Sequence, residues 1–307
     1  MRREQTKRLL MSVLCFGCVS VASTNLRAQE IVAPSARTLF SRSTLVRSFV
    51  EVKRASLRVN GESTEVTQYV PVLAIAYGFR PNWTIIVAQP YVSMDVTSRM
   101  GNEVSEKNLN GLGDTQFFVQ YDGIYKRNKP GGITRVSGVF GLQAPTGANR
   151  FSTEAFEYTG GLIFEKAKSL KYVFTGDFQY TFATENRRGV SVGDQAQFDA
   201  VPVYFVISKG AASKEASWLR KFYERAFRKG AYLILEFNGR WQAHARQQGN
   251  EIANTGGTTL MISPGIQYFV SNRFLVEFAS PIPVVKDLNG KQLKPNTGFV
   301  FGFRVLF

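Results

Sequence analysis

Hydrophobic and polar residues alternate along this chain in unusually long runs. In GDTQFFVQYDGIY, Phe117, Val119 and Tyr121 fall on one side of an extended strand, and Gln116, Gln120 and Asp122 fall on the other. In YLILEFNGRW, Leu233, Leu235, Phe237 and Trp241 oppose Glu236, Asn238 and Arg240, and in RFLVEFAS, Phe274, Val276 and Phe278 oppose Leu275 and Glu277. Twelve stretches of this kind can be read, at 44–59, 64–78, 83–97, 113–126, 132–144, 156–166, 171–184, 195–208, 231–243, 258–270, 273–285 and 297–307. Each is far longer than the five or six residues of an ordinary strand. A tilted strand crosses a bilayer in about 9–11 residues. In hydrocarbon a sheet satisfies its backbone groups only by closing on itself. The pattern therefore predicts an all-β fold, a transmembrane antiparallel up-and-down β-barrel of about 12 strands over residues 44–307. The runs 83–97 and 195–208 are apolar on both faces, which leaves their facing open.

The last strand is the sharpest case. In TGFVFGFRVLF, Phe299, Phe301, Phe303, Val305 and Phe307 share one face, while Val300, Gly302, Arg304 and Leu306 share the other. The alternation ending in an aromatic, with Phe303, Val305 and Phe307 as its last members, resembles the sorting signal read by the outer-membrane assembly machinery.

The chain opens on Arg2, Arg3, Lys7 and Arg8, follows them with the apolar stretch Leu9 to Ser23, and offers a cleavage point after Ala28. Residues 1–28 are thus expected to be a signal peptide, too short in its apolar part to span a membrane. Residues 29–43 are then a periplasmic N-terminal segment. Cleavage removes both cysteines, so no disulfide can form in the exported chain. It also removes five basic residues and one acidic residue, which takes the net charge from +15 to +11.

Sidedness follows from the connections, which in such barrels are short on the periplasmic side and long outside. With both termini inside, the outer loops fall near 60–64, 98–112, 145–155, 185–194, 244–257 and 286–296. Basic residues then gather at the periplasmic ends, as at Arg80, Lys126, Arg127, Lys129, Lys166 and Lys168, where anionic lipid head groups would attract them. This charge reads as a membrane surface, so nucleic acid is not an expected partner. The one long periplasmic connection has a helical period over 212–229. Trp218, Phe222 and Phe227 fall on one face, and Arg220, Lys221, Arg225 and Arg228 on the other. Such a helix suits a membrane interface, and equally the barrel's mouth.

Chemistry-bearing residues are few. The single histidine, His244, has no serine or threonine beside it, and the exported chain has no cysteine, so no catalytic residue, metal site or cofactor is expected. Asp122, Arg135, Asp177, Glu236, Arg240, Glu277 and Arg304 fall on inward positions as lumen-lining candidates. Opposite charges there could form a selective constriction or hold the barrel shut.

Two short motifs, NGLGDTQFFVQY (110–121) and GLQAPTG (141–147), fall at successive expected outer loops. In this order they resemble a bacterial family of transporter-like outer-membrane β-barrels associated with the meta-pathway of phenol degradation. The resemblance implies an outer-membrane channel for small, hydrophobic or aromatic molecules, and carries over no catalytic residue. Two alternatives stay open, a non-transporting structural or surface-binding barrel and a barrel lipid hydrolase built around His244.

Overall fold

The computed structural model describes residues 37–59, 61–129, 132–148, 150–168, 172–206, 230–271 and 273–307. The expected signal peptide, most of the segment 29–43 and the expected helix 212–229 lie outside these residues. Seventeen strands are present among the described residues. The first eight are β1 (Thr44–Val59), β2 (Glu62–Arg80), β3 (Trp83–Met100), β4 (Glu103–Leu112), β5 (Thr115–Lys129), β6 (Gly132–Ala144), β7 (Glu157–Ala167) and β8 (Tyr172–Ala183). After the short β9 (Val190–Ser191) come β10 (Gln195–Val206), β11 (Ala231–Gln242), β12 (Arg246–Gln247), β13 (Asn250–Glu251), β14 (Gly257–Phe269), β15 (Phe274–Ala279), β16 (Ile282–Leu288) and β17 (Lys294–Leu306).

Antiparallel pairing runs from β1 through β17 and back to β1, where Arg47 stands opposite Arg304 and Val50 opposite Phe301. Two pairs of strands act as single staves. β4 and β5 both pair with β3 and are interrupted at Gly113 and Asp114. β15 and β16 both pair with β14 and are interrupted at Ser280 and Pro281. The remaining short strands β9, β12 and β13 make a separate sheet, so the barrel has twelve staves. No sheet edge is left along the membrane. The start of β1 and the end of β17 lie at one rim, where Thr44 and Phe307 exchange backbone hydrogen bonds of 3.2 and 2.8 Å. We call this the terminus end and the opposite rim the loop end.

Alternation sets what faces lipid. On β17, Phe299, Phe301 and Phe303 are exposed while Val300, Gly302 and Arg304 are buried inside. The two runs with undecided facing are resolved by their neighbours. On β3, Trp83, Ile85, Val87 and Tyr91 point out, and Thr84, Ile86, Ala88, Val92, Met94 and Val96 point in. On β10, Val201 and Val203 point in and Tyr204 points out. Aromatic rings gather at the edge of the apolar band, as girdles do in such barrels. Trp83 lies 4.5 Å from Tyr121 and 6.1 Å from Phe79, and Tyr172 lies 4.9 Å from Tyr204.

Residues 98–112 were expected as a loop, but they are the upper end of β3 and the whole of β4, paired from Met100 opposite Glu103 to Tyr91 opposite Leu112. β2 and β3 have 19 and 18 residues, against 11 and 12 in β7 and β8. The extra length carries a blade of sheet beyond the bilayer. There both faces of β4 meet water, so no alternation marks it.

Candidate functional site: the barrel interior

The interior has two unlike walls. Around most of the circumference it is polar and paired. Glu277 accepts from Arg47 at 2.7 Å through one oxygen, and through the other it meets Arg304 at 2.7 Å and Gln267 at 3.1 Å. Arg135 pairs with Asp122 at 3.1 Å. Asn238 donates to Asp199 at 2.8 Å and accepts from Ser263 at 2.9 Å. Gln179 donates to Asp177, and Arg240 donates to Gln195 at 2.6 Å. Glu236 is fully buried within the same wall. All seven lumen candidates therefore lie inside, and two pairs among them are in direct contact. Arg47, Glu165 and Asp199 join them but escaped the sequence reading. In β1 polar residues occupy both faces beyond Phe49, so Arg47 gives no clear alternation there.

The other wall is apolar. Val66, Val70, Val72, Ala74 and Ala76 of β2, with Ile86, Ala88, Val92, Met94 and Val96 of β3, form an inward strip into which Gln68 sets one buried amide, 3.2 Å from the Met94 sulfur. It crosses the charged belt at the alanines, whose small side chains leave room. That room is occupied at the terminus end by residues 37–40. The Leu39 amide donates to the Thr84 hydroxyl at 2.8 Å, its side chain packs on the apolar cluster, and Arg37 pairs with the buried Glu165 at 2.8 Å. Gly78 makes this possible, since a side chain there would collide with the Phe40 carbonyl.

At the loop end the two sequence motifs lock together. Asp114, in the break between β4 and β5, accepts from the Gly147 amide, the Thr153 amide and the Thr153 hydroxyl at 2.9, 2.9 and 3.2 Å. The Thr115 amide donates to Thr146 Oγ1 at 2.9 Å, and the Ala148 amide donates to the Leu112 carbonyl at 2.8 Å. Gly147 packs so closely on Gly113 and Asp114 that any Cβ would force them apart. The joint draws loop 145–156 inward and seats Phe151 on the apolar strip. GLGD is therefore the socket of a loop anchor. Replacing Asp114 by Ala removes three acceptor contacts, each worth about 1.5 kcal/mol or more for a charged acceptor. The loop should loosen while the barrel stays closed. Trypsin should then cut after the exposed Arg150 at least tenfold faster, read on a gel beside an intact heat-modifiable band.

The other sequence-marked residues lie apart. His244 sits at the loop end, where its Nε2 lies 3.2 Å from the Asn289 amide nitrogen. No serine hydroxyl contacts it among the described residues. Phe303, Val305 and Phe307 follow the outer face of β17 down to the terminus end. Among the described residues no cluster of three His, Cys, Asp or Glu side chains could hold a metal ion.

A closed antiparallel stave count of twelve, an apolar exterior with aromatic girdles and a polar, charge-paired interior define a transmembrane β-barrel of the outer-membrane type. Within that class the chain belongs to the family described as "Putative MetA-pathway of phenol degradation", whose model matches residues 63–281. In structure it resembles the COG4313 outer membrane channel from Pseudomonas putida F1, at a TM-score of 0.68 and 12% identity, over 91% of this chain and 100% of that one. It also resembles the transport unit of the autotransporter AIDA-I from Escherichia coli, at a TM-score of 0.50 and 10% identity, over 96% and 97%. At these identities the likeness is one of fold. None of the curated proteins matches the chain in sequence.

Proposed function

We propose that this protein is an outer-membrane channel that admits small hydrophobic, including aromatic, solutes along the β2–β3 wall, with the terminus end in the periplasm. The observation that carries the reading is the apolar strip itself. An apolar solute gains nothing from a charged wall, which would have to give up its own pairing and hydration, whereas an apolar wall receives it. Here the belt stops at β2 and β3, and the gap runs the length of the barrel. Both ends of the strip are covered by residues outside the barrel strands, Phe151 at the loop end and Leu39 at the terminus end. Family membership and the fold of the Pseudomonas putida channel point the same way. Signal-peptide export and recognition of the β17 terminus by the assembly machinery belong to the same proposal.

The strip can be tested by making it polar. Val70 and Val92 are adjacent inward positions, and changing both to Asn exchanges apolar contact for amides. A ring that loses about 50 Å² of contact, at about 25 cal/mol per Å², loses about 1.3 kcal/mol, roughly a factor of ten. Uptake of the hydrophobic dye N-phenylnaphthylamine by intact cells should fall about tenfold, with unchanged amounts of heat-modifiable barrel. Undiminished uptake by that assembled variant would refute the route.

A further inference from the structure

The exterior carries a feature that the solute path does not use. Val52 of β1 stands opposite Tyr69 of β2 and Phe299 of β17, and these three form the last apolar row before the loop end. One row higher, Arg54 stands between Thr67 and Asn296. Above that, Ser56 stands between Glu65 and Lys294, and Arg58 follows opposite Ser63. Alternation places Arg54, Ser56 and Arg58 on the same outer face as Val52. The register sets Lys294 beside Ser56, between the two arginines. Three exposed cations thus share a patch about 13 Å long, four residues at about 3.3 Å each. The Arg54 guanidinium lies over the Phe299 ring, 5.8 Å from its centroid, which holds it at the top of the apolar band. Asn296 donates to Ser56 at 3.1 Å between them. Among the described residues none of the three cations makes an ion pair, although Glu65 is on the neighbouring strand.

Cations left unpaired along the upper border of a lipid-facing band would meet whatever anion the outer leaflet presents at that depth. Acyl chains would lie on Val50, Phe299 and Phe301 below, and phosphate would stand at the height of Arg54, Lys294 and Arg58. We infer that this patch binds the phosphorylated head group of an outer-leaflet glycolipid, a lipid A-type molecule whose chains lie along β1 and β17. Arginine is suited to this task because its planar fork grips phosphate oxygens in pairs. The inference rests on the outer-membrane placement proposed above but not on the solute.

The experiment uses the full mature chain in detergent micelles with bisphosphorylated lipid A, read by native mass spectrometry. The wild type should retain one lipid. The R54Q/R58Q/K294Q variant should bind at least tenfold more weakly while staying heat-modifiable, and lipid A stripped of its phosphates should bind the wild type equally weakly. Inorganic phosphate at 10 mM should not displace the lipid, since it lacks the chains. Equal retention by the triple variant, equal binding of the dephosphorylated lipid, or displacement by phosphate would each overturn the proposal. Failure of the outer-membrane placement shows separately. A cysteine at Asn108 would then resist an impermeant maleimide on intact cells, whatever the micelle result.

Discussion

Replacing Glu277 with Leu should unfold or severely destabilise the barrel, the largest single-residue effect expected in this chain. Glu277 is fully buried and serves both Arg47 and Arg304, themselves almost fully buried. The substitution removes the carboxylate that both guanidinium groups share. Breaking one buried pair costs about 3–5 kcal/mol, mostly because the abandoned charge stays desolvated. Two abandoned charges put the loss at the upper part of that range or beyond. Urea unfolding of refolded protein in micelles, followed by tryptophan fluorescence, should show the midpoint collapse. The converse makes the test specific. Changing all three residues together to apolar ones of similar volume, R47M/E277L/R304M, should restore much of the loss, because the two arginines go with the carboxylate they share. If E277L alone is as stable as wild type, the belt is solvated and the packing described above is wrong.

How much of this could be read in the sequence depends on solvent contrast. Where one face of a strand meets lipid and the other a polar lumen, as on β5, β11 and β17, alternation alone puts Asp122, Glu236 and Arg304 inside. On β3 and β10 that contrast vanishes, because their inner faces carry apolar residues too. Only the register with their neighbours orients them. β4 was missed for the opposite reason, with water on both faces. The socket at Asp114 joins residues 33 and 39 positions apart through backbone amides, and no local pattern encodes such a contact. The glycines of GLGD and APTG are its visible trace in the sequence, because they are points of close approach. Residues 37–40 are too few and too mixed to announce a place inside the barrel, and Arg37 takes its meaning from Glu165, 128 positions away.

Removing residues 29–41 should raise single-channel conductance several-fold. Residues 37–40 of this stretch narrow the terminus end, with Leu39 on the strip and Arg37 paired with Glu165. Its loss uncovers Ala74, Ala76 and Ala88, the smallest inward side chains in the belt, so the cross-section there should widen more than at any other level. Arg37→Gln alone should give a smaller increase with more frequent transitions between levels. It loosens the segment but keeps Leu39 seated. Planar-bilayer recording of the refolded mature chain and both variants separates these outcomes. Identical conductance in all three would mean that the narrowest point lies elsewhere, most plainly at Phe151.

The central claim, that the chain passes small hydrophobic solutes, is tested most directly by uptake in intact cells of a porin-poor Gram-negative host. N-phenylnaphthylamine fluorescence should rise at least tenfold faster in cells expressing the wild-type barrel than in cells with an empty vector. Entry of a hydrophilic solute of similar size, such as a disaccharide, should remain near background. Equal rates of dye uptake with and without the assembled barrel, or a matching rise for the disaccharide, would contradict the account.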